Sequence, residues 1–290
     1  MMYRIFEIVA PIFIAVSIGY IYSRAKKPSM ETVNAINLDV FVPLLIVSVF
    51  AEQKINLLDY GPLILVASII TMLPGIAAWG LAKVFNIDAK TFVPPMMFKN
   101  SGNIGIPLLL FTFGEEFLPA IIIIFIVENT LHFTTGIWII SPKDRSFAFL
   151  KQPMIIATVI GLSLSLFNIQ LPPWIVGSLS LLGSVAVPLL LFSLGVRLLS
   201  LDVRGWRLGL LGAIAAPVLG LIVAAPLVTL IPLPEIQQKM IWLFAALPPA
   251  VLNFLIAEKY QQEPDKVAAI VLFANAGTII TLPLVLYFVL

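Results

Sequence analysis

Residues 99–107 read KNSGNIGIP, and residues 247–253 read LPPAVLN. Both stretches interrupt long apolar runs, and neither suits a continuous helix. The first crowds two glycines, two asparagines, a serine and a proline into nine residues, all weak helix formers or breakers. In the second, Pro248 and Pro249 remove two successive amide donors. Irregular backbone at membrane depth survives only where it is buried in protein or lines a wet cavity. The two stretches are therefore expected to break helices near mid-bilayer. Half-helix N-termini at such breaks carry partial positive charge and unpaired N–H groups, which favour an anionic solute.

The rest of the composition demands a membrane. Hydrophobic residues make up 60% of the chain and charged residues 11%, with a mean hydropathy of +1.07. Soluble domains carry about 25% charged residues. A span takes roughly 20 apolar residues, so the 290 residues accommodate about ten spans with short loops. Apolar runs between charge or Pro/Gly clusters predict an all-α membrane protein with spans at 3–22, 32–51, 60–83, 92–113, 118–140, 153–168, 173–196, 206–230, 238–257 and 267–289. The first run carries Glu7 and no small-x-small cleavage site before Arg24, so it reads as a span and not a signal peptide. With no cysteine and one histidine, neither a disulfide frame, a metal site nor a cofactor is expected. The net charge of +2 is spread thinly between apolar runs and points to no nucleic-acid partner.

Basic residues orient the spans. The loops after the odd-numbered spans hold Arg24, Lys26, Lys27, Lys83, Lys90, Lys143, Arg145, Lys151, Arg197, Arg204, Arg207, Lys259 and Lys266. The opposite side holds only Arg4, Lys54 and Lys239, and Lys99 lies within a span. This bias predicts an inner-membrane protein with both termini outside, and it requires an even number of spans.

The chain also repeats itself. Residues 42–50 read VPLLIVSVF and residues 187–195 read VPLLLFSLG, five identities in nine at an offset of 145. Pro43 then matches Pro188 and Ser48 matches Ser193, while nearby offsets pair Gly61 with Gly205 and Pro74 with Pro217. Residues 1–142 and 150–290 would each contain five spans, and an odd number forces the second half to enter from the opposite side. Inverted repeats of this kind are an architecture of secondary transporters, with the substrate at the midplane between the halves.

The elements NSGNIGIP (100–107), LPPAVLNFLIAEKY (247–260) and VFVPLL (40–45) resemble the auxin efflux carrier family, which includes bacterial malonate and malate carriers and the plant PIN proteins. The resemblance runs in order along the whole chain. It implies two inverted five-helix repeats whose fourth and ninth spans cross at their prolines beside the substrate. Here those positions are Pro107 and either Pro248 or Pro249, with Asn103 and Asn253 as polar contacts. It also implies that spans 1, 2, 6 and 7 form a dimerising scaffold while the remainder moves. The expected solute is a small organic anion, a mono- or dicarboxylate or an auxin-like acid, carried with a proton or a sodium ion.

An ionised group at mid-bilayer costs about 2.5–3.5 kcal/mol on the insertion scale, so Asp39, Lys99, Glu128 and His132 each need a reason. Glu128 and His132 lie at i, i+4 spacing on one helix face, where a carboxylate and an imidazole either exchange a proton or form a structural pair. Lys99 attracts a carboxylate, neutralises Glu128 or Asp39, or snorkels to the surface. Asp39, one turn before Pro43, carries a coupling ion, pairs with Lys99 or sits at the interface, and Asn275 is placed to complete a polar lining. An intramembrane enzyme would need a nucleophile with its base, paired aspartates or a metal cluster, and a channel would need a carbonyl filter or a ring of charges. None of these is visible. A sodium-coupled symporter of the bile-acid type stays open as the alternative carrier.

Overall fold

The computed structural model describes residues 1–53, 55, 57–142, 150–199 and 205–290, so Lys54, Lys143, Arg145 and Arg204 of the basic-residue pattern lie outside the described residues. Among the described residues every element is helical, apart from one isolated antiparallel bridge between Lys99 and Pro249. Among the described residues, seven helices are long and apolar enough to cross a membrane: α1 (Met2–Lys26), α2 (Glu31–Glu52), α3 (Leu58–Val84), α6 (Glu115–Ile140), α8 (Pro173–Leu198), α9 (Trp206–Leu230) and α12 (Pro264–Val289). Between them lie the interrupted pairs α4 (Ala89–Met97) with α5 (Ser101–Phe113) and α10 (Glu235–Ala245) with α11 (Leu252–Lys259). The remaining element, α7 (Pro153–Leu166), has 14 residues. At 1.5 Å per residue it is about 21 Å long, less than the roughly 30 Å hydrocarbon core.

Three helices contain one widened π turn each, over Asn37–Phe41 in α2, Ser101–Gly105 in α5 and His132–Gly136 in α6. Two of them have a visible cause. A proline removes its own donor and its ring presses on the carbonyl four residues earlier. For Pro43 that carbonyl belongs to Asp39, and for Pro107 to Asn103, and both fall inside the π turns. The sequence expectation of a break across Lys99–Pro107 is thereby corrected. The helix is open only at Phe98–Asn100, and Pro107 occupies the second position of an α-helical run beginning at Ile106.

Packing divides the helices into two groups. α1 lies on α8, and α2 lies on α7 and on the first half of α8. In the other group α9 packs on α12, α10 and α4, while α3 packs on α4 and α6. The α1–α8 contact depends on glycine at both ends. A Cβ on Gly19 would stand 2.2 Å from the Phe192 carbonyl oxygen, and one on Gly195 would stand 1.9 Å from that of Val16. Small residues of this kind let helix backbones meet where hydrocarbon offers no hydrophobic drive. Large apolar side chains such as Phe6, Ile76, Ile222 and Phe288 are left exposed on the outer surface, which suits lipid and not water.

Gly195→Ala should therefore push α1 from α8 and lower the thermal midpoint in detergent, by the equivalent of about 1–3 kcal/mol. Gly80, whose added Cβ meets nothing within 4 Å, supplies the comparison: Gly80→Ala should leave the midpoint in place. Equal midpoints for the two variants would rule out the close contact.

Candidate functional site

The two interrupted pairs meet at their openings. The Asn100 amide donates to the Pro248 carbonyl at 2.7 Å, and the Ala250 amide donates to the Phe98 carbonyl at 2.9 Å. These two bonds form the bridge between Lys99 and Pro249. Pro249 costs the bridge nothing, because the donor on that strand is the next residue.

Side chains satisfy what the bridge leaves over. Asn253 Nδ2 donates to the carbonyls of Phe98 (3.1 Å) and Ala250 (2.9 Å). Asn275 Nδ2 donates to the Pro249 carbonyl at 3.0 Å, and its Oδ1 accepts from Asn100 Nδ2 at 2.6 Å. Asn100 Oδ1 in turn accepts from the Asn103 amide at 3.2 Å, which caps the start of α5. Lys99 is wholly buried and donates from Nζ to the Ala216 carbonyl of α9 at 2.6 Å. That position corrects the snorkelling reading, since the ammonium never reaches the surface.

Beside the crossing lies a cavity of about 180 Å³. Asn103 lines it, and no hydrogen bond of its side-chain amide is found among the described residues. Glu128 lines it too and is 1% exposed. Its Oε2 accepts from the Ser101 hydroxyl at 2.8 Å, while Oε1 stands 3.5 Å from His132 Nδ1 and has no hydrogen bond among the described residues. Both imidazole nitrogens are likewise buried without a hydrogen-bond partner. The His132 ring is stacked on Phe98, with centroids 4.2 Å apart and planes 8° from parallel. Gly136 makes the stack possible, because a Cβ there would come within 2.9 Å of both rings. A wider vestibule of about 1350 Å³ lies next to the inner cavity, and Asn34, Leu38, Arg197, Val251 and Leu255 line both.

Of the residues singled out in the sequence, Asn103, Lys99, Glu128 and Asp39 come together on the cavity. His132 stands behind Glu128. Asn253, Asn275, Pro248 and Pro249 belong to the crossing, and Pro107 is buried in α5 away from the bridge. Polar residues on the cavity that the sequence analysis assigned to no site include Asn100, Ser101, Asn37, Ser193 and Arg197. The first two sit inside KNSGNIGIP, where the glycines and the proline drew the attention. Arg197 was counted as an orienting loop charge, and no local signal sets it apart from one.

Replacing Asn275 with leucine strands the Pro249 carbonyl and Asn100 Nδ2, at about 1–3 kcal/mol for each buried unsatisfied group. The expected result is faster amide hydrogen exchange in the segments 98–103 and 246–251. Unchanged protection there would show that the asparagine does not hold the crossing.

The family model described as membrane transport protein matches residues 4–149 and 146–286, together nearly the whole chain. The chain is also 25% identical over 300 residues to a protein named as an uncharacterised transporter from Methanocaldococcus jannaschii, an alignment covering 96% of each chain. With its apolar helices, this makes the chain a multi-pass membrane protein. The chain belongs to the membrane transport protein family, that of the auxin efflux carriers.

Proposed function

We propose that the protein is a secondary transporter that carries small organic anions with protons by alternating access. The observation that carries this reading is Glu128: a carboxyl group 1% exposed, on the cavity, bonded to the helix break through Ser101 and facing His132 with its second oxygen unsatisfied. Buried polar atoms without partners are uncommon, and a proton shared by Glu128 and His132 would supply the missing bond. A carboxyl so placed can load its proton from one side and release it to the other once the cavity changes sides. The Asn103 side-chain amide, on the cavity at the start of a helix, offers donors to an anionic solute. The cavity is smaller than the roughly 300–1000 Å³ typical of drug-sized sites, which favours a solute of few atoms.

In the same reading, residues 1–142 and 150–290 are two inverted five-helix repeats whose broken spans are the crossing pairs. The basic bias puts both termini outside the inner membrane. The vestibule, edged by Arg207 and Lys266, then faces the cytoplasm, and the conformation is open inward. The α1, α2, α7 and α8 group would be the scaffold, and a homodimer would form through it.

Glu128→Gln mimics the protonated carboxyl with little change in volume. In proteoliposomes it should retain exchange of the solute while losing accumulation driven by an imposed pH gradient. Accumulation equal to the parent's would refute coupling through Glu128. If accumulation followed a sodium gradient instead, the coupling ion would be sodium.

A further inference from the structure

The cavity has a second wall. Leu190, Ser193 and Arg197 of α8 all line it, and their i, i+3, i+7 spacing puts them on one helix face. This face thus carries a hydroxyl and, one turn on, a guanidinium. Ser193 is 4% exposed, and its hydroxyl has no hydrogen-bond partner among the described residues. Asn37 of α2 lines the same cavity and donates from Nδ2 to the Ala186 carbonyl of α8 at 3.3 Å, yet its buried Oδ1 is also unpartnered. Two orphaned polar atoms on one cavity wall mark a place where a ligand or water completes the bonding.

Two cations border this cavity, and they differ in what they can reach. Lys99 is 0% exposed, with its ammonium on the Ala216 carbonyl. Arg197 is partly exposed and borders the vestibule as well as the cavity, which Lys99 does not. Arg197 keeps a contact within the chain, and a guanidinium with five N–H donors has others to offer. Asp39 and Glu128 border the same cavity, so its overall field does not by itself select anions. Selection has to come from direct contact, and the planar fork of an arginine matches a carboxylate in two parallel bonds.

We propose that Arg197 and Ser193 form the anchor that holds the carboxylate of the solute, while Lys99 serves the crossing. This rests on the organic-anion reading above and assigns the residues that recognise the charge. The rest of the solute then extends toward Asn103, which lines the same cavity.

The test compares each acid with its neutral amide of the same shape, propanoate with propanamide and lactate with lactamide. Binding is read by calorimetry on the full chain in lipid nanodiscs. The parent should bind each acid on the order of tenfold or more tighter than its amide. Arg197→Gln should bring that ratio to about one, with amide binding unchanged, whereas Arg197→Lys should retain part of it. Ser193→Ala should weaken acid binding several-fold and leave the amides alone. The anchor is overturned if Arg197→Gln keeps the full ratio, or if it weakens acid and amide equally. Should Arg197→Gln fail to fold, Ser193→Ala decides, and an unaltered ratio there overturns the anchor. A parent that does not prefer acid to amide removes the organic-anion reading itself, and the anchor with it.

Discussion

An opened helix in hydrocarbon exposes backbone N–H and C=O groups that water cannot reach, and each such group costs several kcal/mol if left alone. This chain has two such openings and sets one against the other. Asn100 and Pro248 share one bond of the bridge, Ala250 and Phe98 share the other. Neither opening could sit in its own part of the membrane without losing these partners. Their meeting makes α4 with α5 cross α10 with α11, and the remaining polar features of the interior follow from it. Asn253, Asn275 and Asn100 carry the bonds that a two-bond bridge leaves unmet, and Lys99 ties the crossing to α9.

The cavity arises from the same local chemistry. Pro43 and Pro107 each disturb the carbonyl one turn back, and the helices respond by widening at Asp39 and Asn103. Widened turns rotate the following residues and disrupt regular side-chain stacking, which is one reason they recur at functional sites. The third widened turn, in α6, brings Phe133 to the cavity and begins three residues after Asn129. Polar residues thus gather where three helices depart from regular geometry at the same level as the crossing.

The two walls of the cavity belong to differently tied groups of helices. Hydrogen bonds join the crossing to α9 through Lys99 and to α12 through Asn275. On the other side, α2 is bonded to α8 through Asn37, and α8 is pressed on α1 by the Gly19 and Gly195 contacts. In the proposed reading, a solute between the walls would touch one set of side chains anchored to the crossing and another anchored to the α2–α8 pair. Relative movement of such groups would change the cavity without breaking the bridge, because both halves of the bridge lie on one side.

The sequence by itself determined what depends on composition and on short-range spacing. Membrane class, the apolar runs, the two paired openings and the shared face of Glu128 and His132 are all of this kind, since hydropathy and the 3.6-residue period act locally. It did not determine what each polar side chain at the openings does. Asn103 and Asn253 look alike as asparagines near a break, yet one opens onto the cavity and the other clamps the Phe98 carbonyl. Likewise Arg197 ends an apolar run as a loop charge does, and only the packing of α8 beside the crossing turns it inward. Pro43 and Pro107 announced irregularity, but the opening itself lies at Phe98–Asn100, where Pro248 and Ala250 take up the freed groups. Those neighbours are more than a hundred residues away in the chain, and only the tertiary structure brings them within hydrogen-bond reach.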